Sequence, residues 1–130
     1  MSAPSPVLVN VPAGPDLVHI IRAVAASVAA RLDMPIDAVE EVRVAVDEAA
    51  SILLQVPAPY DRLSLTIEPL GTEINGLLSI DARTAEWPPS GAEASWSWRV
   101  ISSVCDEAAF ERSGVDPAIR FIKRGSMQGR

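Results

Sequence analysis

In Ile36–Val56 the apolar residues Val39, Val42, Val46, Ala49, Ala50 and Leu53 recur every three or four positions, the stripe of a helix that turns one face to a core. Asp37 is placed to cap its first turn, Glu40 completes a capping-box pattern, and Pro57 and Pro59 stop it. An earlier helix is opened by Pro15 and Asp16 and runs to about Leu32, with Leu17, Ile20, Ile21, Val24 and Val28 on its apolar face. Its alanines, Ala25, Ala26, Ala29 and Ala30, leave room for a neighbouring backbone, so the two helices are predicted to pack together across the short Asp33-Met34-Pro35 turn.

The other segments carry strand and loop patterns. Val7–Val11 reads as a β-branched strand, and Leu63, Leu65 and Ile67 alternate with polar residues at period two. Leu77–Arg83 is a further strand after a turn region at Pro69–Gly76, and the proximity of the two favours an antiparallel hairpin. Thr84–Ala94, with Pro88, Pro89 and Gly91, reads as a loop. Helical spacing resumes from Ser95, a candidate N-cap, to about Glu107 through Trp98, Ile101 and Val104; Ala109–Arg112 and Ala118–Lys123 close the chain as strands about the Ser113-Gly114 turn. The order β-α-α-β-β-α-β-β predicts an α+β fold, a two-layer α/β sandwich with helices on one face of a mainly antiparallel sheet. Residues 7–124 form one domain in this reading, flanked by flexible tails at 1–6 and 125–130.

A chain of 130 residues can bury a core without metals or disulfides, and the single cysteine, Cys105, allows no internal disulfide. The formal charge of -6 argues against a nucleic-acid backbone as partner. Arg120, Lys123, Arg124 and Arg130 gather near the end of the chain and read as solvated edge-strand and tail charges. The N-terminal stretch lacks the pattern of a signal peptide and no run is long enough to span a bilayer, so a cytoplasmic protein without membrane contact is expected. His19 has no cysteine or second histidine near it, so no metal site is expected there and an interface role is the better reading. Trp96 and Trp98 are two apart on a helix and cannot both face the core; one is a candidate partner anchor.

The runs VPAGPDLVHIIRAVAASVAARL and IDAVEEVRVAVDEAAS, together with their spacing, resemble the first two helices of the RsbW/SpoIIAB-type anti-sigma factors. Those are serine kinases of the GHKL, or histidine-kinase-like, ATPase fold, and the likeness is to their divergent actinobacterial, UsfX-like branch. It continues more weakly through IDAR, VISSVCDE and IRFIKR. The resemblance assigns Glu48 to the general base of the family and Ile52 to the place of its Mg²⁺-binding asparagine, four residues later on the same helix face. Asp81 falls on the adenine-binding aspartate, while the accompanying glycines are replaced in Ala82-Arg83-Thr84-Ala85. Ser95 and Ser97 fall on the phosphate-binding glycines, and the lid is reduced to the Thr84–Ala94 loop. An aliphatic residue cannot ligate Mg²⁺.

The resemblance therefore implies an anti-sigma protein, homodimeric, with a degenerate nucleotide site. ATP is a candidate ligand and Mg²⁺ is not expected. Its implied partners are a sigma factor and a competing STAS-domain anti-anti-sigma factor, met through the first helix at His19 and Arg22, in a partner-switching system. The alternative is an active ATP-dependent serine kinase acting on that STAS protein; a third reading is an adaptor for another partner. Taken without the resemblance, Glu48 is equally a solvated helix residue, Asp81 a strand-end carboxylate caught in a turn, and Arg22 a charge that solvates its helix.

Overall fold

The computed structural model describes residues 5–125. Val7–Pro12 forms β1; after a single 3-10 turn at Pro15–Leu17 the chain enters α1 (Val18–Arg31), then α2 (Ile36–Leu53). β2 (Arg62–Leu70) and β3 (Glu73–Ile80) form a hairpin, and α3 (Trp96–Val104) precedes the hairpin of β4 (Glu107–Ser113) and β5 (Asp116–Arg124). The order along the sheet is β1-β2-β3-β5-β4, antiparallel throughout. The fold is the expected α+β two-layer sandwich. No helix among the described residues is long and apolar enough to cross a membrane.

Alternation along each strand builds the core in rows. Val9, Leu65, Leu78, Ile119 and Phe110 are register partners across all five strands, and Val7, Ile67, Gly76, Phe121 and Ala108 form the next row. Gly76 lies mid-strand in β3, where a turn was expected, and the Phe121 ring covers its α-carbon so closely that a Cβ there would collide with it. The β2–β3 turn is accordingly tighter than the Pro69–Gly76 region predicted, with Gly71 at φ +64°. Pro69 is tolerated in β2 because the ladder with β1 stops at Val7–Ile67, leaving one side of the strand unpaired beyond it.

Five of the six stripe residues of α2 are buried, with Val39 packed at the margin, and Ala38 and Ala45 join them. On α1 the buried face is rotated from the expected one: Val18, Ile21, Ala25, Ala26, Val28 and Ala29 are buried, whereas Ile20 is exposed and Val24 only partly covered. The alanines take the central positions because α1 packs against α2 as well as over the sheet.

Helix ends depart from expectation in three places. Pro35 is the N-cap of α2, so Asp37 lies inside the first turn; its side chain does not cap, and Glu40 pairs with Arg43 instead. The same helix stops at Leu53, three residues early, and the Tyr60 hydroxyl donates to the Leu54 carbonyl oxygen at 2.7 Å, satisfying one of the terminal acceptors. α3 ends at Val104 rather than near Glu107, since Asp106 N–H already donates to Ile122 in β5. Ser95 does cap α3, its Oγ accepting from Trp98 N–H at 3.2 Å.

The end of α1 is a Schellman motif: Met34 N–H donates to Ala29 and Asp33 N–H to Ala30, with Asp33 left-handed at φ 59°. Left-handed backbone costs an L-residue about 1 kcal/mol. Asp33→Gly is expected to raise stability by roughly 0.5–1 kcal/mol in chemical denaturation, with an unchanged m-value.

Arg120 and Lys123 are not solvated edge charges, whereas Arg124 is about half exposed. β5 is an inner strand, and Lys123 has only 12% of its side chain exposed, its Nζ donating to Glu41 Oε1 at 2.6 Å and to the Val104 carbonyl at 2.7 Å. Arg120 pairs with Glu111, and Arg124 with Glu73 and Glu107. Gly125, expected to open a tail, donates its N–H to Thr72. Arg130 and the rest of both predicted tails, 1–4 and 126–130, lie outside the described residues. Cys105 is partly buried against the core, and that burial pushes its pKa up to about 12, against a smaller opposing pull from Lys123.

Candidate functional site

Two surface depressions flank α2, and between them they hold most of the residues singled out in the sequence. One is a groove of about 430 Å³ along the α1–α2 seam. Val18, Ala50 and Leu54 supply apolar wall, and His19, Arg22, Asp47 and Ser51 supply polar groups. The sequence places Arg22 off the apolar stripe, and the structure gives it a partner that spacing alone does not show. Its Nη1 donates to both carboxylate oxygens of Asp47, each at 3.0 Å, tying α1 to α2. Arg22 is thus not wholly free to face a partner, though about a third of its side chain remains exposed. His19 Nδ1 lies 2.8 Å from the Asp16 carbonyl oxygen. A carbonyl only accepts, so the proton sits on Nδ1 and the neutral ring keeps Nε2 as an acceptor.

The other depression, about 400 Å³, lies between the end of α2 and the segment leading into α3. Ile52, Gln55, Pro57, Pro89, Ser95 and Ser97 are among its lining residues, and no charged side chain lines it. The structure brings together Ile52, Ser95 and Ser97, but Glu48 and Asp81 are not part of this lining. Glu48 is half-buried one turn before Ile52, and among the described residues its carboxylate has no hydrogen-bond or ion-pair partner.

Asp81 is occupied with the backbone. Its Oδ1 accepts from the N–H groups of Asp61 at 2.8 Å and Arg62 at 2.9 Å, fastening the start of β2 to the end of β3. Burial alone would raise its pKa, but hydrogen bonds from the backbone of Arg62, Asp61 and Asp81 itself, with the Arg62 charge, outweigh that and hold it below the ordinary 3.8. A depressed pKa stabilises the fold fully above the ordinary carboxylate value, and that contribution is lost as pH falls through the depressed value. Asp81→Ala is expected to cost about 1 kcal/mol at pH 7 and to flatten the loss of stability as pH falls below the ordinary carboxylate value, read by urea unfolding across pH.

These residues do not fit a magnesium-bound polyphosphate. Ile52 offers no oxygen to a metal, and among the described residues no Lys or Arg lines the cleft to balance phosphate charge. At the start of α3, where backbone N–H groups would cradle an anion, the Ser95 side chain already takes the N–H of Trp98 and donates to Ala92 O at 2.6 Å. Among the described residues no group of three or more His, Cys, Asp and Glu side chains could hold a metal ion. Of the two tryptophans, Trp98 stacks on Phe110 with ring centroids 4.0 Å apart, while Trp96 is 74% exposed.

No protein-family model matches the chain. It is similar, at 26% identity over 110 residues, to the protein named anti-sigma-F factor RsbW in two strains of Mycobacterium tuberculosis, CDC 1551/Oshkosh and H37Rv. The match covers 85% of this chain and 64% of each relative. The chain is thus distantly similar to these RsbW proteins and spans less than two thirds of their length.

Proposed function

We propose that the chain is a cytoplasmic anti-sigma regulatory protein that binds a sigma factor by occupation, with a nucleotide site that has lost its chemistry. The observation that carries this reading is the 26% identity to proteins named anti-sigma-F factor RsbW across 85% of the chain. The sigma factor meets the α1–α2 groove through His19 and Arg22, and a STAS-domain anti-anti-sigma factor competes for the same surface. The active unit is a homodimer. Ile52 and the uncharged lining of the second cleft support a pseudokinase, because phosphoryl transfer depends on holding metal and phosphates together in position.

The retained Glu48 favours one competing reading, an active serine kinase acting on the STAS protein. Two assays separate them. The tagged chain is mixed with the sigma factors of its host without nucleotide, and label transfer from ATP with Mg²⁺ to a STAS protein is followed in parallel. A stable sigma complex with no label transfer is the expected result; transfer that disappears in Glu48→Ala would replace it by the kinase reading. Capture of neither a sigma factor nor a STAS protein would overturn both. Light scattering of the purified chain, expected at twice the 13.8 kDa chain mass, tests the dimer.

A further inference from the structure

The Arg22–Asp47 pair is asymmetric, and the asymmetry decides what the groove can still bind. Asp47 places both oxygens on Nη1 alone. Among the described residues neither Nε nor Nη2 of Arg22 has a hydrogen-bond partner. Those two nitrogens share one edge of the planar guanidinium, the edge that takes a carboxylate through two parallel hydrogen bonds. The groove that Arg22 lines has Val18 and Leu54 in its wall, which suits an apolar neighbour of the incoming acid.

We infer that Asp47 is a positioning residue for carboxylate recognition in this groove: it grips Arg22 by one nitrogen and presents the Nε/Nη2 edge to an acidic side chain of the bound partner. The inference rests on the anti-sigma reading for the partner's identity but not for its own test. An arginine free to rotate must surrender much of its rotamer freedom on binding, and an arginine already held across two helices has surrendered it on folding. The Asp47 charge also repels a second carboxylate, so its two effects oppose each other. Asn at this position keeps an acceptor for Nη1 and removes the charge, whereas Ala removes both.

The probe is propionate, an aliphatic carboxylate with a short apolar tail, titrated while the Arg22 Nε–H signal is followed by NMR in the full chain. Wild type is expected to give a saturating shift at Arg22. Asp47→Ala is expected to weaken binding about three- to tenfold and to increase Nε–H mobility on the nanosecond scale; Asp47→Asn is expected to bind as tightly as wild type or more so. A role confined to folding would lower stability without separating Asn from Ala in this titration. Equal binding by wild type and Asp47→Ala, or no shift at Arg22 in wild type, would overturn the inference. The failures are distinguishable: loss of sigma-factor capture with an intact propionate response removes the anti-sigma reading alone, and a flat propionate response with sigma capture intact removes the role of Asp47 alone.

Discussion

Arg22→Glu is expected to weaken capture of the sigma factor by roughly 100-fold or more while leaving the domain folded. The substitution removes the arginine that lines the α1–α2 groove and sets a second carboxylate beside Asp47, so an acidic partner would meet like charge in place of a donor edge. Like-charge contacts at an interface cost several kcal/mol, and every 1.4 kcal/mol is about tenfold in affinity. The effect on the fold is much smaller, because both members of the pair are more than a third exposed at their side chains or close to it, and such pairs contribute about 0.2–1 kcal/mol. Titration calorimetry against the sigma factor, with thermal unfolding of each variant, separates the two effects. The reversed pair, Arg22→Glu with Asp47→Arg, should regain stability but not binding. Affinity for the sigma factor within about threefold of wild type in Arg22→Glu would show that recognition lies elsewhere on the chain.

Gly76→Val is expected to be the most destabilising single substitution in the sheet, at about 3 kcal/mol or more. Gly76 and Phe121 are register partners on the covered face of the sheet, and Phe121 is fully buried. The ring occupies the space that a Cβ at Gly76 would need, and it is hemmed in by buried residues, Ile67 in the same row and Leu78 in the next. For a domain of this length the loss corresponds to a fall in Tm of about 10 °C. The double variant Gly76→Val, Phe121→Leu should recover part of the loss, giving a coupling energy of at least about 1 kcal/mol in a double-mutant cycle. Additive effects of the two changes would mean that the ring does not take the place of the missing side chain.

Gly76 also illustrates why parts of the fold were not legible in the sequence. Beside Pro69 and Gly71 it reads as turn chemistry, and only the pairing of β3 with β5, more than forty residues on, makes it a strand position. The same non-local pairing misled the reading of Lys123. The last strand of a chain is easily taken for an edge, but here β5 inserts between β3 and β4, and a lysine that looks solvated becomes the link among β5, α2 and the end of α3. The α2 stripe was legible because Val42, Val46 and Leu53 fall at helical spacing on the buried face. On α1 the size of Ile20 outweighed Ala25 and Ala29 in the pattern, although the alanines are the fully buried residues.

For the candidate site, residue type carried further than partnership. The sequence was enough to single out Arg22 as a residue off the core stripe and Ile52 as an apolar group on the Glu48 face. Asp47 was missed because its value lies in its position opposite Arg22 on another helix, 25 residues away, which depends on the rotational setting of two packed helices. Asp81 followed the local rule for a carboxylate at a strand end and bonds to backbone N–H groups. Ser95 met its capping expectation, and that very role places a side chain where a phosphate would need bare backbone donors.

In the proposed function this domain inhibits by occupying a sigma factor and needs no phosphoryl transfer to do so. Run-off transcription from a promoter of the cognate sigma factor, titrated with the purified chain with and without Mg²⁺ and ATP, tests that claim directly. Inhibition that saturates at a fixed stoichiometry of chain to sigma factor, unchanged by nucleotide and lost in Arg22→Glu, is the predicted result. Inhibition that requires ATP, or that proceeds catalytically below stoichiometry, would contradict it.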